Sequence, residues 1–219
     1  MTEPAYLSAT RAAYDKVAAD YHDLLRTALA DAPYERAMLG VFAEHVRASG
    51  LGPVVDVGCG PGRVTGYLDT LGIPVSGIDL SPEMIAVARR EHPTLRFEVG
   101  SMTALDRENG ALGGVVAWYS IIHTPPELLP PVFAEFARVL APGGYLMLAF
   151  QVGDVPRHIT SAYGHDGLDY HAYRLRPDRI TALAADAGLQ SLSHLVREPE
   201  GEYENSPQAY LVLRKPTAA

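Results

Sequence analysis

The run Asp56-Val57-Gly58-Cys59-Gly60-Pro61-Gly62 sets three alternating glycines behind a short apolar stretch, Val54 to Val57. About ten residues of helical character follow, closed by Gly72. Glycines at a strand-to-helix turn let the backbone bend tightly and approach a ligand that any Cβ would hold away. The pattern therefore predicts a small ligand lying over this loop. It is not the dinucleotide fingerprint G-x-G-x-x-G, whose third glycine would fall at Arg63, and it is not a P-loop, because no Gly-Lys-Ser/Thr follows. Asp79 closes a second apolar run, Val75 to Asp79, 21 residues after Gly58. At that spacing an acid can accept hydrogen bonds from ribose hydroxyls.

A third candidate is His123, in Trp118-Tyr119-Ser120-Ile121-Ile122-His123-Thr124-Pro125-Pro126. Ligands of open α/β sheets bind beyond the carboxyl ends of the strands, where strand order reverses, and this segment follows a strand expected beside the first one. An imidazole with an ordinary pKa near 6.5 could take a proton from a hydroxyl or ammonium substrate there; equally, it could cap the next helix or line the pocket. Trp118 and Tyr119 would form the pocket wall, with the Tyr119 hydroxyl free to orient a substrate. Cys59 reads as a small buried filler rather than a nucleophile, since nothing near it in sequence lowers its pKa.

The elements that must hold these groups follow from periodicity. Residues 10 to 30 carry Ala13, Tyr14, Val17, Ala18, Tyr21, Leu24, Leu25 and Leu29 at helical spacing behind Thr10, a candidate N-cap. A second helix runs from Pro33 to Gly50. Strand and helix then alternate: Val54 to Val57, the helix before Gly72, Val75 to Asp79, a helix opened by Ser81-Pro82-Glu83, Leu95 to Val99, Val115 to Tyr119, a helix from Glu127 to Leu140, and Gly144 to Gln151. Such alternation predicts a parallel sheet with helices on both faces. A helix at Pro177 to Ala187 precedes strands near Leu189 to Val196 and Gln208 to Arg214, joined by a Glu-rich link too short for a crossover, so these two pair antiparallel. Residues 152 to 175 read as a long irregular segment holding His158, Tyr163, His165, Asp166, Asp169, Tyr170, His171 and Tyr173. A substrate flap of aromatic and polar side chains is expected there. No repeated His spacing sets a metal geometry, so no metal is expected.

Composition narrows the classes. The chain has 219 residues, enough for one domain, with 47% hydrophobic and 20% charged residues, as in an ordinary globular protein. No apolar run approaches the roughly 20 residues that span a bilayer. The N-terminal stretch lacks a secretory pattern and Cys59 is the only cysteine, so a cytosolic protein is expected. A net charge of −8 argues against nucleic acid as a partner. Lysine occurs only at positions 16 and 215, a usage that suits a GC-rich, bacterial coding sequence.

The chain resembles the class I S-adenosylmethionine-dependent methyltransferases, whose glycine motif D/E-x-G-x-G-x-G is matched by Asp56, Gly58, Gly60 and Gly62. The likeness extends over residues 10 to 215: Tyr14, Asp15, Ala18 and Tyr21 match a leading YD-x-x-A-x-x-Y, Asp79 precedes LSPEM, and Ala141 to Gly144 form an APGG turn. It implies a Rossmann-like α/β fold, with a seven-stranded, mostly parallel sheet in the order 3-2-1-4-5-7-6 and the last strand antiparallel. One domain would span residues 1–219, divided into an N-terminal helical lid (1–50), a cofactor-binding core (51–151), a substrate flap (152–175), and a C-terminal helix and hairpin (176–219).

The resemblance also implies roles. Asp56, Gly58, Gly60 and Gly62 would border the methionine part of S-adenosylmethionine, and Asp79, with Leu80 beside it, would hold both ribose hydroxyls. Met84 would pack on the adenine, with Ser101 and Met102 at its edge; many family members carry an acid where Ser101 stands. Tyr14 and Tyr21, which as a bare pattern favour core packing, would by the resemblance equally well close over the cofactor carboxylate beside Trp118, while His123 and Tyr119 would act on the acceptor. The implied activity is methyl transfer to an oxygen or nitrogen of a small molecule by a monomer or homodimer. A non-catalytic sensor of S-adenosylmethionine and, less favoured, a nicotinamide-dependent oxidoreductase are the rival readings.

Overall fold

A computed structural model describes residues 3–201 and 204–217. Two helices open the chain, α1 (Ala5–Leu25) and α2 (Pro33–Ser49). The alternating part follows as β1 (Val54–Val57), α3 (Arg63–Thr70), β2 (Val75–Asp79), α4 (Pro82–Glu91), β3 (Arg96–Val99), β4 (Leu112–Trp118), α5 (Leu129–Val139) and β5 (Leu140–Gln151). Then come β6 (Pro156–Ala162), β7 (His165–Tyr173), α6 (Pro177–Asp186), β8 (Gln190–Arg197) and β9 (Gln208–Arg214). The sheet has seven strands in the order β3-β2-β1-β4-β5-β9-β8. Counted within that sheet this is 3-2-1-4-5-7-6, and β9 runs antiparallel to both neighbours.

β5 shows why its sequence is apolar at nearly every position. Leu146, Leu148 and Phe150 enter one core with Phe133 and Phe136 of α5, while Tyr145, Met147 and Ala149 enter another with Leu39 and Phe42 of α2. A strand covered on both faces loses the polar half of its alternation. α5 carries its buried set at Leu129, Val132, Phe133, Phe136 and Val139, a single helical stripe.

Three sequence expectations change. α1 begins at Ala5 behind Pro4, so Thr10 lies inside the helix rather than at its cap. Proline's fixed φ suits a helix entrance, and the alanine-rich stretch behind it supports an earlier start. The helix expected from Glu127 begins at Leu129 after a short 3₁₀ turn over Pro126–Leu128. Most consequentially, residues 152 to 175 are not irregular: β6 and β7 form a separate antiparallel hairpin with Ala162 opposite His165. Tyr163 (φ 53°) and Gly164 (φ 80°) make its two-residue turn, both left-handed, as a tight hairpin requires. Leu168 and Tyr170 are buried against α1, and Asp169 and His171 alternate with them on the other face. The Glu-rich link before β9 includes residues 202 and 203, which lie outside the described residues.

Candidate active site

The strand order brings the carboxyl ends of β1 and β4 together, with β2 flanking β1. Gly58 has φ 73°, and a Cβ there would stand 2.3 Å from Cβ of Ser120, the residue that anchors the end of β4 by donating to the Val57 carbonyl at 2.6 Å. The loop can pass this close only as glycine. A Cβ on Gly60 would instead reach no atom nearer than Met84 Sδ and the Tyr21 ring, both at 4.0 Å, so it would project into open space between them.

Asp79 is pinned at both oxygens, accepting from Gly60 N–H and Ser81 N–H, each at 2.8 Å. Each oxygen keeps further acceptor capacity on the cavity that Asp79 lines. Burial pushes its pKa up, and the two backbone donors oppose that shift. The N-terminal helix is tied to the same turn: Asp15 accepts from the Ser81 hydroxyl at 2.5 Å, and Arg11 Nε donates to the Leu80 carbonyl at 3.2 Å.

Above these groups lies a cavity open to solvent. Of the residues singled out from sequence, Tyr14, Tyr21, Gly58, Gly60, Asp79, Leu80, Met84, Ser101, Met102, Trp118, Tyr119 and His123 all line it. Tyr6, Leu7, Thr10 and Thr124 join them without having been read as site residues, because only the folded α1 carries the first three to this wall. Asp56 and Gly62 do not reach it. Gly62 (φ 84°) stands at the N-cap of α3, where a Cβ would strike the rings of His92 and Phe97, both at 2.9 Å, so its place is in helix packing.

Asp56 is fully buried, accepting from the Thr65 hydroxyl at 2.7 Å through one oxygen, and burial raises its pKa to about 7. Its other oxygen, Arg63 Nη1 and Trp118 Nε1 are buried without a hydrogen-bond partner among the described residues, and all three residues line one small cleft behind the glycine loop. Buried groups are seldom left unpaired. An acceptor set opposite two donors matches the ammonium and carboxylate of an amino-acid head. Arg63, which in sequence served only to exclude a dinucleotide motif, is one of the residues that line this cleft.

The ordinary pKa expected for His123 does not hold. Removal from water pulls it down to about 4, leaving the ring neutral at pH 7. Nδ1 faces the His171 carbonyl at 3.3 Å and must donate to it, so Nε2 accepts from the Tyr14 hydroxyl at 2.8 Å. Tyr119, at φ 53°, is one of two non-glycine residues with positive φ among the described residues, a strained state of the kind that persists where surroundings demand it. Its hydroxyl lies 3.1 Å from that of Tyr210. The hairpin histidines are engaged elsewhere: His158 with Asp169 and His165 with Asp20, each at 2.7 Å. Among the described residues no group of three or more His, Cys, Asp and Glu could hold a metal, and no helix is long and apolar enough to cross a membrane.

Residues 54–144, which carry the glycine loop and Asp79, match the family model described as a methyltransferase domain. Over that stretch the chain is similar to methyltransferases, in keeping with the class I S-adenosylmethionine-dependent type that its glycine loop and Asp79 resemble. It is 26% identical over 197 residues to the malonyl-[acyl-carrier protein] O-methyltransferase of Enterobacter lignolyticus, covering 87% of this chain and 74% of that protein. To the ubiquinone biosynthesis O-methyltransferase of Xanthomonas campestris it is 29% identical over 161 residues, covering 67% of this chain and 66% of that one. Among solved structures, the 1,6-didemethyltoxoflavin-N1-methyltransferase of Burkholderia thailandensis, with its acceptor and S-adenosylhomocysteine bound, superposes with a TM-score of 0.73. That match covers 99% of this chain and 92% of the other at 19% identity, and it speaks for the fold. The enzyme uses S-adenosylmethionine as its cofactor.

Proposed function

We propose that this methyltransferase acts on an oxygen or nitrogen of a small molecule held where two cavities meet. The observation that carries the reading is an overlap: Tyr14, Tyr21, Trp118 and Tyr119 line both the first cavity and a second, more polar one. When bound, S-adenosylmethionine supplies a methyl group made electrophilic by its positive sulfur. Asp79 would hold the ribose hydroxyls, with Leu80, Met84, Ser101 and Met102 around the adenine and Gly58 and Gly60 giving the methionine chain room. Asp56, Arg63 and Trp118 would meet its charged head. The protein's contribution is then alignment and the exclusion of water.

His123 and Tyr119 remain the residues assigned to the reacting centre. With both ring nitrogens engaged, His123 acts by fixing Tyr14 over the cofactor. α1 and α2 would form the lid and the β6–β7 hairpin the flap, since Tyr21 packs edge-on against Tyr163, with ring centroids 4.9 Å apart, and Lys16 donates to the Asp166 carbonyl at 2.6 Å. The net charge of −8 supports a small-molecule acceptor over nucleic acid, and the single, buried cysteine suits a cytosolic setting. Incubation with methyl-labelled S-adenosylmethionine and a bacterial metabolite extract should yield a labelled small molecule. Tight cofactor binding with no transfer to any fraction would favour a sensor instead.

A further inference from the structure

One wall of the polar cavity has no part in holding the cofactor. Glu35, in the first turn of α2, accepts from the Tyr210 hydroxyl at 3.4 Å, and that hydroxyl lies 3.1 Å from Tyr119 Oη. A hydrogen-bonded chain thus runs from the junction of the cavities through two phenols to a carboxylate, and Glu35 itself lines the polar cavity. Arg197 pairs with Glu204 through two contacts of 2.5 and 2.6 Å and comes only to 3.9 Å from Glu35. Arg63 lines the polar cavity as well as the small cleft, and it is taken up once the cofactor's carboxylate occupies that cleft. Arg157 is exposed, at the rim. With cofactor bound and Arg63 on its carboxylate, a carboxylate acceptor pushed inward would meet Glu35 with no further free cation beside it, an unfavourable burial of like charges. A hydroxyl would instead meet a chain able to accept its proton, and the aromatic frame of the junction suits a flat ring.

We propose that Glu35 receives, through Tyr210 and Tyr119, the proton released by a phenolic acceptor. The inference rests on the methyltransferase reading above. The acceptor hydroxyl gives its proton to Tyr119 Oη as Tyr119 passes its own to Tyr210 and Tyr210 passes one to Glu35. The acceptor oxygen bonds to the methyl carbon, and the carbon–sulfur bond breaks with its electron pair kept by sulfur. One positive charge on sulfur and one negative charge on Glu35 disappear together, so charge is conserved, and the proton later leaves to water through the polar cavity. Burial raises Glu35 above the ordinary carboxylate range against the pull of Arg63 and Arg197, with Tyr210 and Glu204 completing the groups that face it. That makes it a better proton acceptor than a surface glutamate.

The test uses the full chain with S-adenosylhomocysteine bound and three flat probes differing in one group: 2-naphthol, 2-naphthoate and 2-naphthylmethylammonium. Fluorescence titration between pH 5 and 8 should show 2-naphthol binding about tenfold or more tighter than 2-naphthoate, with affinity falling at acid pH as Glu35 takes up a proton. Glu35→Gln should flatten that pH dependence and erase most of the preference. Tyr210→Phe, which keeps the ring and cuts the chain, should do the same with an unchanged thermal midpoint. Methyl transfer to 2-naphthol should drop about tenfold or more in kcat in either variant. Preference for 2-naphthoate, failure of the wild type to bind or methylate 2-naphthol, or a wild-type pH profile in Glu35→Gln would overturn the proposal. Calorimetry of S-adenosylhomocysteine binding to the wild type separates the two levels, because absent binding there strikes the methyltransferase reading itself.

Discussion

Tyr14 and His123 stand 109 residues apart in the chain, yet the phenol of one donates to Nε2 of the other across 2.8 Å. The bond fastens α1 to the segment just past β4, and the Tyr170 ring of the hairpin lies against both, with centroids 5.6 Å away from each. Lid, flap and sheet therefore meet at one pair of side chains.

Breaking that pair should loosen the lid. Tyr14→Phe and His123→Ala should each weaken S-adenosylmethionine binding by about 1 kcal/mol, and the double variant should lose little more than the worse single one, because both remove the same bond. Calorimetry measures the affinities, and hydrogen exchange should show α1 less protected in each. Additive losses would mean the two residues act separately.

The same histidine sets an acid limit. Its pKa in the folded chain, about 4, lies below the ordinary 6.5, so the folded state resists protonation. The stability this contributes is complete above about pH 6.5 and is lost as pH falls through about 4. His123→Gln should remove that component, and a thermal midpoint with the same slope in both proteins between pH 6.5 and 4 would show that His123 is not responsible.

Asp56 has the opposite sign. Its pKa of about 7 is above the unfolded value, so its contribution is present at low pH and lost as pH rises through 7. Asp56→Asn should melt at a higher temperature than the wild type at pH 9 and close to it at pH 5. If its free oxygen faces the cofactor ammonium, binding near pH 7 should also release protons, seen as a binding enthalpy that varies with the buffer's ionisation heat.

Asp79→Ala should cost roughly 2 to 4 kcal/mol of cofactor affinity, the loss of charge-assisted hydrogen bonds to two hydroxyls. Asp79 also braces the glycine loop through Gly60 N–H, so Asp79→Asn, which can keep an acceptor on that donor, should weaken binding less. Equal affinities in all three proteins would remove Asp79 from the ribose site.

Gly60→Val should abolish cofactor binding, since its side chain would fill the gap between Met84 and Tyr21, and a β-branched residue resists φ 54°. Retained binding would reduce the loop to a simple turn.

By itself the sequence determined the α/β order, the glycine loop, Asp79 and the antiparallel end of the sheet. Each rests on local signals: apolar runs of strand length, glycines where backbone must turn, and a link before Gln208 too short to cross over. It also marked Tyr14, Trp118, Tyr119 and His123, but not what engages them. That Nε2 of His123 is taken by Tyr14, that burial shifts its pKa, and that Arg63 shares a cleft with Asp56 and Trp118 depend on contacts between distant segments, to which periodicity is blind. The hairpin over residues 156–173 was hidden because only Leu168 and Tyr170 of β7 are buried, so polar neighbours mask the alternation and a Tyr-Gly turn carries a weak signal. Glu35 was invisible because its partners are distant in sequence. In sequence it is one acid in the first turn of a helix, and only the sheet order that puts β9 beside β5 sets the Tyr210 hydroxyl between it and Tyr119.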